Sequence, residues 1–199
     1  MDAKLIAKTF DMYGTDKGFQ HGYNQMYSDV FSKITPVNKL LEIGVKRGRS
    51  LAAWCDLFPR AEIVGADIEI REDILSAALS RARIVQGDST SPTFGVTIGD
   101  DYDVIIDDGN HYVDNQWSTF LNLQNNWKKA YVIEDVLGID SAKILEKRLK
   151  SRGFNNYNVY SSKNDKGVFA QSEKAKNEGK EPYKFAFYAI AVYPDPHLM

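Results

Sequence analysis

A chain of 199 residues with 43% apolar and 26% charged residues has the make-up of one ordinary globular domain, and two full domains would be cramped. With 25 Lys and Arg against 27 Asp and Glu, no bulk charge draws it to nucleic acid. The single cysteine, Cys55, excludes an internal disulfide and fits a reducing compartment; within LAAWCDLF it reads as buried filler. No apolar run approaches the roughly 20 residues of a membrane span, and the N-terminus has no signal-peptide core, so a cytoplasmic protein without membrane contact is expected.

In chain order, apolar periodicity predicts helices over residues 3–12 and 24–34, separated by the turn-like Gly14-Thr15-Asp16-Lys17-Gly18 and closed by Thr35-Pro36. Strand and helix then alternate. Strands are predicted over 39–43, 62–66, 83–86, 103–106 and 130–133, with helices over 50–58, 72–80, 115–126 and 140–151. That alternation implies a parallel sheet built from right-handed crossovers. Residues 154–161 and 183–193 are strand-like with no helix between them, so they pair antiparallel. The Lys-, Gly- and Glu-rich stretch 163–182 between them is expected to be a mobile loop. There is no internal repeat and no second core. The expectation is one domain over 1–199: a helical cap or lid over 1–35, an α/β core over 36–152, and a C-terminal hairpin over 153–199.

Two short apolar runs end abruptly in acid: YDVIIDDGNH (residues 102–111) and YVIED (131–135). In an open parallel sheet, ligands bind at the carboxyl ends of the strands, so Asp107, Asp108, Glu134 and Asp135 should meet in one crevice. His111 stands three residues beyond Asp108. Like charges so crowded repel one another unless protons or a cation neutralise them, and a hard divalent metal on carboxylate oxygens is the natural answer. Asp107 reads better as a supporting or capping group than as a ligand. Glu134 and Asp135 also have a plainer reading, as caps of the following helix.

A second constellation surrounds LLEIGVKRGRS (residues 40–50), a strand carrying Glu42, then Gly44 and Gly48, then a helix opening at Ser50. Glycines at such a junction let a ligand approach the backbone at a helix N-terminus. The full G-x-G-x-x-G fingerprint is missing, which argues against a nicotinamide dinucleotide. Asp67 ends the second strand, where an acid can accept both ribose hydroxyls. Asp88, in Gly87-Asp88-Ser89, ends the third, where it could meet the exocyclic amine of adenine. Lys46, Arg47 and Arg49 read as a solvated basic face, Trp54, Trp117 and Trp127 as helix packing, and His197 as solvated tail.

The E-I-G-x-x-x-G loop, the acid ending the second strand and the G-D ending the third resemble class I S-adenosylmethionine-dependent methyltransferases. The resemblance implies a Rossmann-like α/β fold: a mostly parallel seven-stranded sheet with a terminal antiparallel strand and helices on both faces. More specifically, Tyr13-Gly14-Thr15-Asp16-Lys17-Gly18, then His21, Tyr23 and Tyr27, together with D-D-G-N-H and E-D, resemble the metal-dependent sugar O-methyltransferases of macrolide antibiotic biosynthesis. It runs over nearly the whole chain, from Tyr13 to Tyr193. It implies S-adenosylmethionine and Mg2+ as cofactors, and Asp108, Glu134 and Asp135 as metal ligands, with His111 as the base. Cofactor contacts would come from Glu42, Gly44, Gly48, Ser50, Asp67 and Asp88, with Asp107 on the cofactor side of the site. Tyr13, Thr15, Asp16, Lys17, His21, Tyr23 and Tyr27 would form a lid or acceptor wall; core aromatics are the other reading of His21, Tyr23 and Tyr27. The acceptor implied is a hydroxyl of a sugar, glycoside or similar small vicinal diol. Asn110 replaces the serine expected in that motif, which leaves the acceptor open, as is any homo-oligomer. A metal-dependent hydroxylase-like relative and a nucleotide- or glycan-binding module without turnover remain as alternatives.

Overall fold

The computed structural model describes residues 1–162 and 187–195. Three helices come first: α1 (Ala3–Tyr13), the single turn α2 (Asp16–Phe19) and α3 (Asn24–Ile34). The alternating core follows as β1 (Lys39–Ile43), α4 (Arg49–Leu57), β2 (Glu62–Asp67), α5 (Ser76–Leu79), β3 (Ala82–Gln86), α6 (Phe94–Ile98), β4 (Tyr102–Asp107), α7 (Val113–Leu123) and β5 (Trp127–Leu137). Then come α8 (Gly138–Ser151), β6 (Tyr157–Ser161) and β7 (Phe187–Val192).

The strands form one seven-stranded sheet in the order β3-β2-β1-β4-β5-β7-β6. β1 to β5 pair in parallel, while β7 runs antiparallel to both neighbours. This is the mostly parallel α/β sheet expected from the sequence, with β7 slotted between β5 and β6.

Both faces of the sheet are covered, which explains why its strands read as continuous apolar runs. Side chains alternate between the two faces with the period of a strand. Leu40, Val104, Ile106 and Val132 join α1, α3 and α4 in one core, where Phe10, Tyr27, Phe31 and Trp54 pack. Leu41, Ile105, Tyr131 and Ile133 face the opposite core with Phe120, Leu145 and Leu149. Among the described residues, no helix is long and apolar enough to cross a membrane.

The helix expected over 72–80 is reduced to one turn. Leu75 is extended (ψ 133°), its N–H bonded to the Arg47 carbonyl at 3.0 Å, and Asp73 is clasped by Arg47 and Arg71. These tertiary bonds tie the segment to the loop after β1 and outweigh local helix propensity. Conversely, α2 lies inside the expected turn, where Thr15 caps it by accepting from Lys17 N–H. The loop expected over 163–182, the start of the last strand and His197 lie outside the described residues.

Candidate active site

Strand ends converge at the carboxyl edge where β1 and β4 part company with their helices, the switch point of such a sheet. The Gly44 N–H bonds to the Ala66 carbonyl, Asp108 N–H to Ile43 and Gly87 N–H to Asp67, so consecutive strand ends are zipped together. Two cavities open there, of about 330 Å³ and 430 Å³, sharing Gly44, Lys46 and Asp108 as walls. The first continues over Thr15, Asp16, Arg49 and Ser50. The second continues over Asp67, Gly87, Asp88 and Asn110.

The acidic cluster is built by a fault in β5. Ile133 pairs with Ile190 and Val136 with Tyr188, so β5 carries one extra residue against β7 there. Successive strand residues normally point to opposite faces, and a bulge re-aims them. Asp135 sits in it with φ at 50°, a left-handed backbone uncommon for a residue with a side chain. Glu134 and Asp135 therefore both serve the same end of the sheet, each with different partners.

Asp135 Oδ1 accepts from the Tyr23 hydroxyl at 2.7 Å and lies 3.4 Å from His21 Nδ1. Its Oδ2 lies 3.9 Å from His111 Nε2. His111 Nδ1 is buried and has no hydrogen-bond partner among the described residues. Asp108, His111 and Asp135 each offer one ligand atom, and these atoms lie within 4.8 Å of one another. Carboxylate oxygens suit a hard divalent cation such as Mg2+ or Mn2+, so Asp108 and Asp135 fit the expected metal, with His111 standing beside them.

Glu134 is occupied otherwise. Its Oε1 accepts from the Tyr27 hydroxyl and its Oε2 from the Lys17 ammonium, and it is 1% exposed. Lys17 is equally buried; its Nζ also donates to Asp108 Oδ2 at 2.7 Å and lies 3.5 Å from Glu42 Oε1. Burial pushes the carboxyls of Glu42, Asp108 and Glu134 up, Glu134 well above its ordinary value, although Lys17 opposes this. Burial disfavours the charged Lys17, but Asp108, Glu134 and Glu42 outweigh it and hold its pKa well above the usual amine range. Burial, with Asp135 and Glu134 beside them, also keeps Tyr23 and Tyr27 protonated far above the usual phenol range.

Several residues stand elsewhere than the sequence suggests. Lys17 and Tyr27, expected on a lid, are buried beneath the acidic cluster, because three carboxylates there need a cation and donors. Glu42 lines neither cavity. It is fully buried, with Oε1 accepting from Trp54 Nε1 at 3.0 Å and Oε2 without a hydrogen-bond partner among the described residues. Asp107 is also enclosed, accepting from Tyr131 Oη at 3.4 Å and Gly109 N–H at 3.3 Å, and burial pushes its carboxyl up to about 7. Tyr13 bonds Asp56, away from the cluster. Gly48 caps α4 with a φ of 67° and packs against Ile74 and Ala78.

Asp67 borders the second cavity, yet one of its oxygens already accepts the N–H groups of Val45 and Lys46 at 2.7 and 2.9 Å. It therefore shapes the glycine loop, while its other oxygen accepts the Glu69 N–H at 3.3 Å. Asp88 closes a local turn onto Thr90. Lys46 and Arg49, read from sequence as a solvated face, border the first cavity. Gln116 escaped the sequence reading. Its Nε2 donates to the Glu134 carbonyl at 2.8 Å, and its place one turn beyond D-D-G-N-H was the available signal.

No protein-family model matches the sequence. The chain is 33% identical over 145 residues to a mycinamicin VI 2''-O-methyltransferase of Micromonospora griseorubida, covering 66% of this chain and 36% of that protein. It is 27% identical over 139 residues to an 8-demethyl-8-(2-methoxy-alpha-L-rhamnosyl)-tetracenomycin-C 3'-O-methyltransferase of Streptomyces olivaceus, covering 62% and 35%. The chain thus spans about a third of the length of these curated relatives. Among solved structures, the MycE methyltransferase of the mycinamycin pathway, in complex with Mg, SAH and mycinamycin VI, superposes with a TM-score of 0.58 at 31% identity, covering 65% of this chain and 38% of that one. An O-methyltransferase from Bacillus cereus in complex with SAH gives 0.58 at 12% identity over 96% of this chain and 91% of its own, a likeness of fold alone. The chain has the Rossmann-like fold of the class I O-methyltransferases, and in sequence and structure it is similar to the sugar O-methyltransferases of the mycinamicin type.

Proposed function

We propose that this chain is an S-adenosylmethionine-dependent, Mg2+-dependent O-methyltransferase acting on a hydroxyl of a sugar, glycoside or similar small vicinal diol. The observation that carries the reading is the meeting of Asp108, His111 and Asp135 within 4.8 Å of one another at the carboxyl edge of the sheet. Of these three, Asp108 borders both cavities, one also lined by Gly44 and Ser50 and the other by Gly44, Asp67 and Asp88. The similarity to proteins named as sugar O-methyltransferases supports the same reaction class.

S-adenosylmethionine would supply an electrophilic methyl group, and Mg2+ a positive charge that favours the alkoxide form of the acceptor. Gly44, Ser50, Asp67 and Asp88 would hold the cofactor, and Asp108 and Asp135 would hold the ion. An alcohol is a weak nucleophile while it keeps its proton. His111 would accept that proton, so that the acceptor oxygen can take the methyl group. Enclosure of the cluster by Tyr23, Tyr27 and Lys17 keeps water from the buried side. Oriented reactants on a rigid strand end turn an encounter into an effectively intramolecular step.

The test is a panel of monosaccharides, glycosides and catechols incubated with S-adenosylmethionine, reading S-adenosylhomocysteine by mass spectrometry with Mg2+ and with EDTA. Product that forms with one or more sugars and disappears in EDTA supports the reading. Cofactor binding without product from any hydroxylated acceptor points instead to a binding module.

A further inference from the structure

We infer that Gln116 is a positioning residue for the acidic end of β5: with Tyr23 it clamps the peptide group between Glu134 and Asp135, and so fixes the aim of both acidic side chains. The inference rests on the metal reading above and adds to it a residue outside the acidic cluster.

The bulge sets the problem. The parallel register of β5 with β4 ends at Ile133, and β7 is in register with Ile133 and Val136 but with neither residue between them. The peptide joining Glu134 to Asp135 therefore falls in a gap of the sheet, and both residues are buried. Asp135 also holds a φ of 50°, a backbone that persists only where its surroundings over-determine it.

Buried backbone groups need partners, and here side chains supply them. The Glu134 carbonyl accepts from Gln116 Nε2 at 2.8 Å. The Asp135 N–H, at the other end of the same peptide group, donates to the Tyr23 hydroxyl at 3.4 Å. Carbonyl and N–H of one trans peptide point in opposite directions, so the plane is gripped from two sides. Tyr23 belongs to the core on one face of the sheet, while α7, which carries Gln116, packs into the other.

Gln116 is 1% exposed, yet its Oε1 has no hydrogen-bond partner among the described residues. An amide buried with half of its polar atoms unsatisfied is a poor way to fill space, so packing alone does not call for glutamine there. Reversing the amide would set oxygen against oxygen, so nitrogen is the atom that faces Glu134. The Gln116 N–H bonds the Tyr112 carbonyl at 3.0 Å, which ties the clamp to the loop carrying His111. Without the Nε2 donor, the backbone at Asp135 is free to relax towards negative φ, and the bulge loses its hold on the Asp135 carboxyl.

Gln116→Met keeps the length of the side chain and removes its donor. A crystal structure of this variant in EDTA is expected to show Asp135 out of the left-handed region and its Oδ2, 3.9 Å from His111 Nε2 in the wild type, displaced. Mn2+ affinity by calorimetry is expected to fall about 10- to 100-fold, while S-adenosylmethionine affinity stays within a few-fold. Tm is expected to stay within about 5 °C of the wild type. An unchanged bulge with wild-type Mn2+ affinity overturns the inference. A large fall in Tm with both affinities lost alike would make Gln116 a prop of the fold only, and also overturns it.

Absence of Mn2+ binding by the wild type would overturn the metal reading, and the EDTA crystal structure still decides the role of Gln116. If Gln116→Met does not fold, hydrogen exchange on the wild type in EDTA decides it. The Asp135 amide and the Gln116 side-chain amide are expected to exchange as slowly as the Ile133 amide; rapid exchange at either one counts against the clamp.

Discussion

Gly44 and Asp108 meet so closely that a Cβ placed on Gly44 would stand 2.1 Å from the Asp108 carbonyl oxygen. The glycine loop after β1 and the acidic end of β4 are therefore one packed unit. Gly44 also has a φ of 91°, open to glycine and strained for any other residue. Gly44→Ala should displace the Asp108 backbone and with it the carboxylate. The expected outcome is a stability loss of about 2 kcal/mol or more and loss of S-adenosylmethionine binding, read by thermal melting and calorimetry.

Asp108 and Asp135 each present an oxygen to the point where ligand atoms converge. Asp108→Asn and Asp135→Asn should each weaken Mn2+ binding at least tenfold and lower kcat/KM by about 10²-fold or more. Far-ultraviolet circular dichroism should stay unchanged. Retention of wild-type Mn2+ affinity in both variants would remove the metal from the scheme.

His111 is assigned the proton, standing at the cluster with Nε2 3.9 Å from Asp135 Oδ2. His111→Gln should lower kcat by about 10²–10⁴-fold while S-adenosylmethionine affinity stays within a few-fold. Near-normal turnover at saturating Mg2+ would show that another group accepts the proton.

Asp107 gives a pH dependence with a definite sign. Its carboxyl stands at about 7 in the folded protein because burial penalises the charged form, against 3.8 as its ordinary value. A raised folded pKa means the native state holds the proton more tightly than the unfolded chain. The associated stability is complete below about pH 4 and is lost as the pH rises through about 7. In EDTA, wild-type Tm should fall between pH 5 and pH 8, and Asp107→Asn should flatten that fall, raising Tm at pH 8 by several degrees. A wild-type Tm independent of pH over that interval would contradict the assignment.

The alternating core was legible because each element carried its own punctuation. α3 occupies Asn24–Ile34 as expected, with Pro36 just beyond it, and β4 spans Tyr102–Asp107 around the expected run. α6 (Phe94–Ile98) was missed because its Val96, Thr97 and Ile98 are β-branched residues that read as strand or loop. Packing decides it instead: a Cβ on Gly95 would meet the Asn122 carbonyl oxygen at 2.5 Å, so α6 lies tight on α7. At the site, the acids at the strand ends were readable from position alone. Their division of labour was not. Glu134 and Asp135 differ only by a bulge in β5, which depends on pairing with β7, far away in sequence. Lys17 was expected on a lid or acceptor wall, since a buried lysine leaves no trace in composition.

The placement of β7 between β5 and β6 has a further effect on how the sheet is assembled. β6 has no strand to join until Phe187–Val192 arrives, and β5 keeps an open edge until the same moment. Such a late, non-local closure is slow, and the waiting edge of Tyr131–Ile133 is apolar and adhesive. Shortened versions of this polypeptide that stop before Phe187 should accumulate as aggregates rather than as a smaller folded domain.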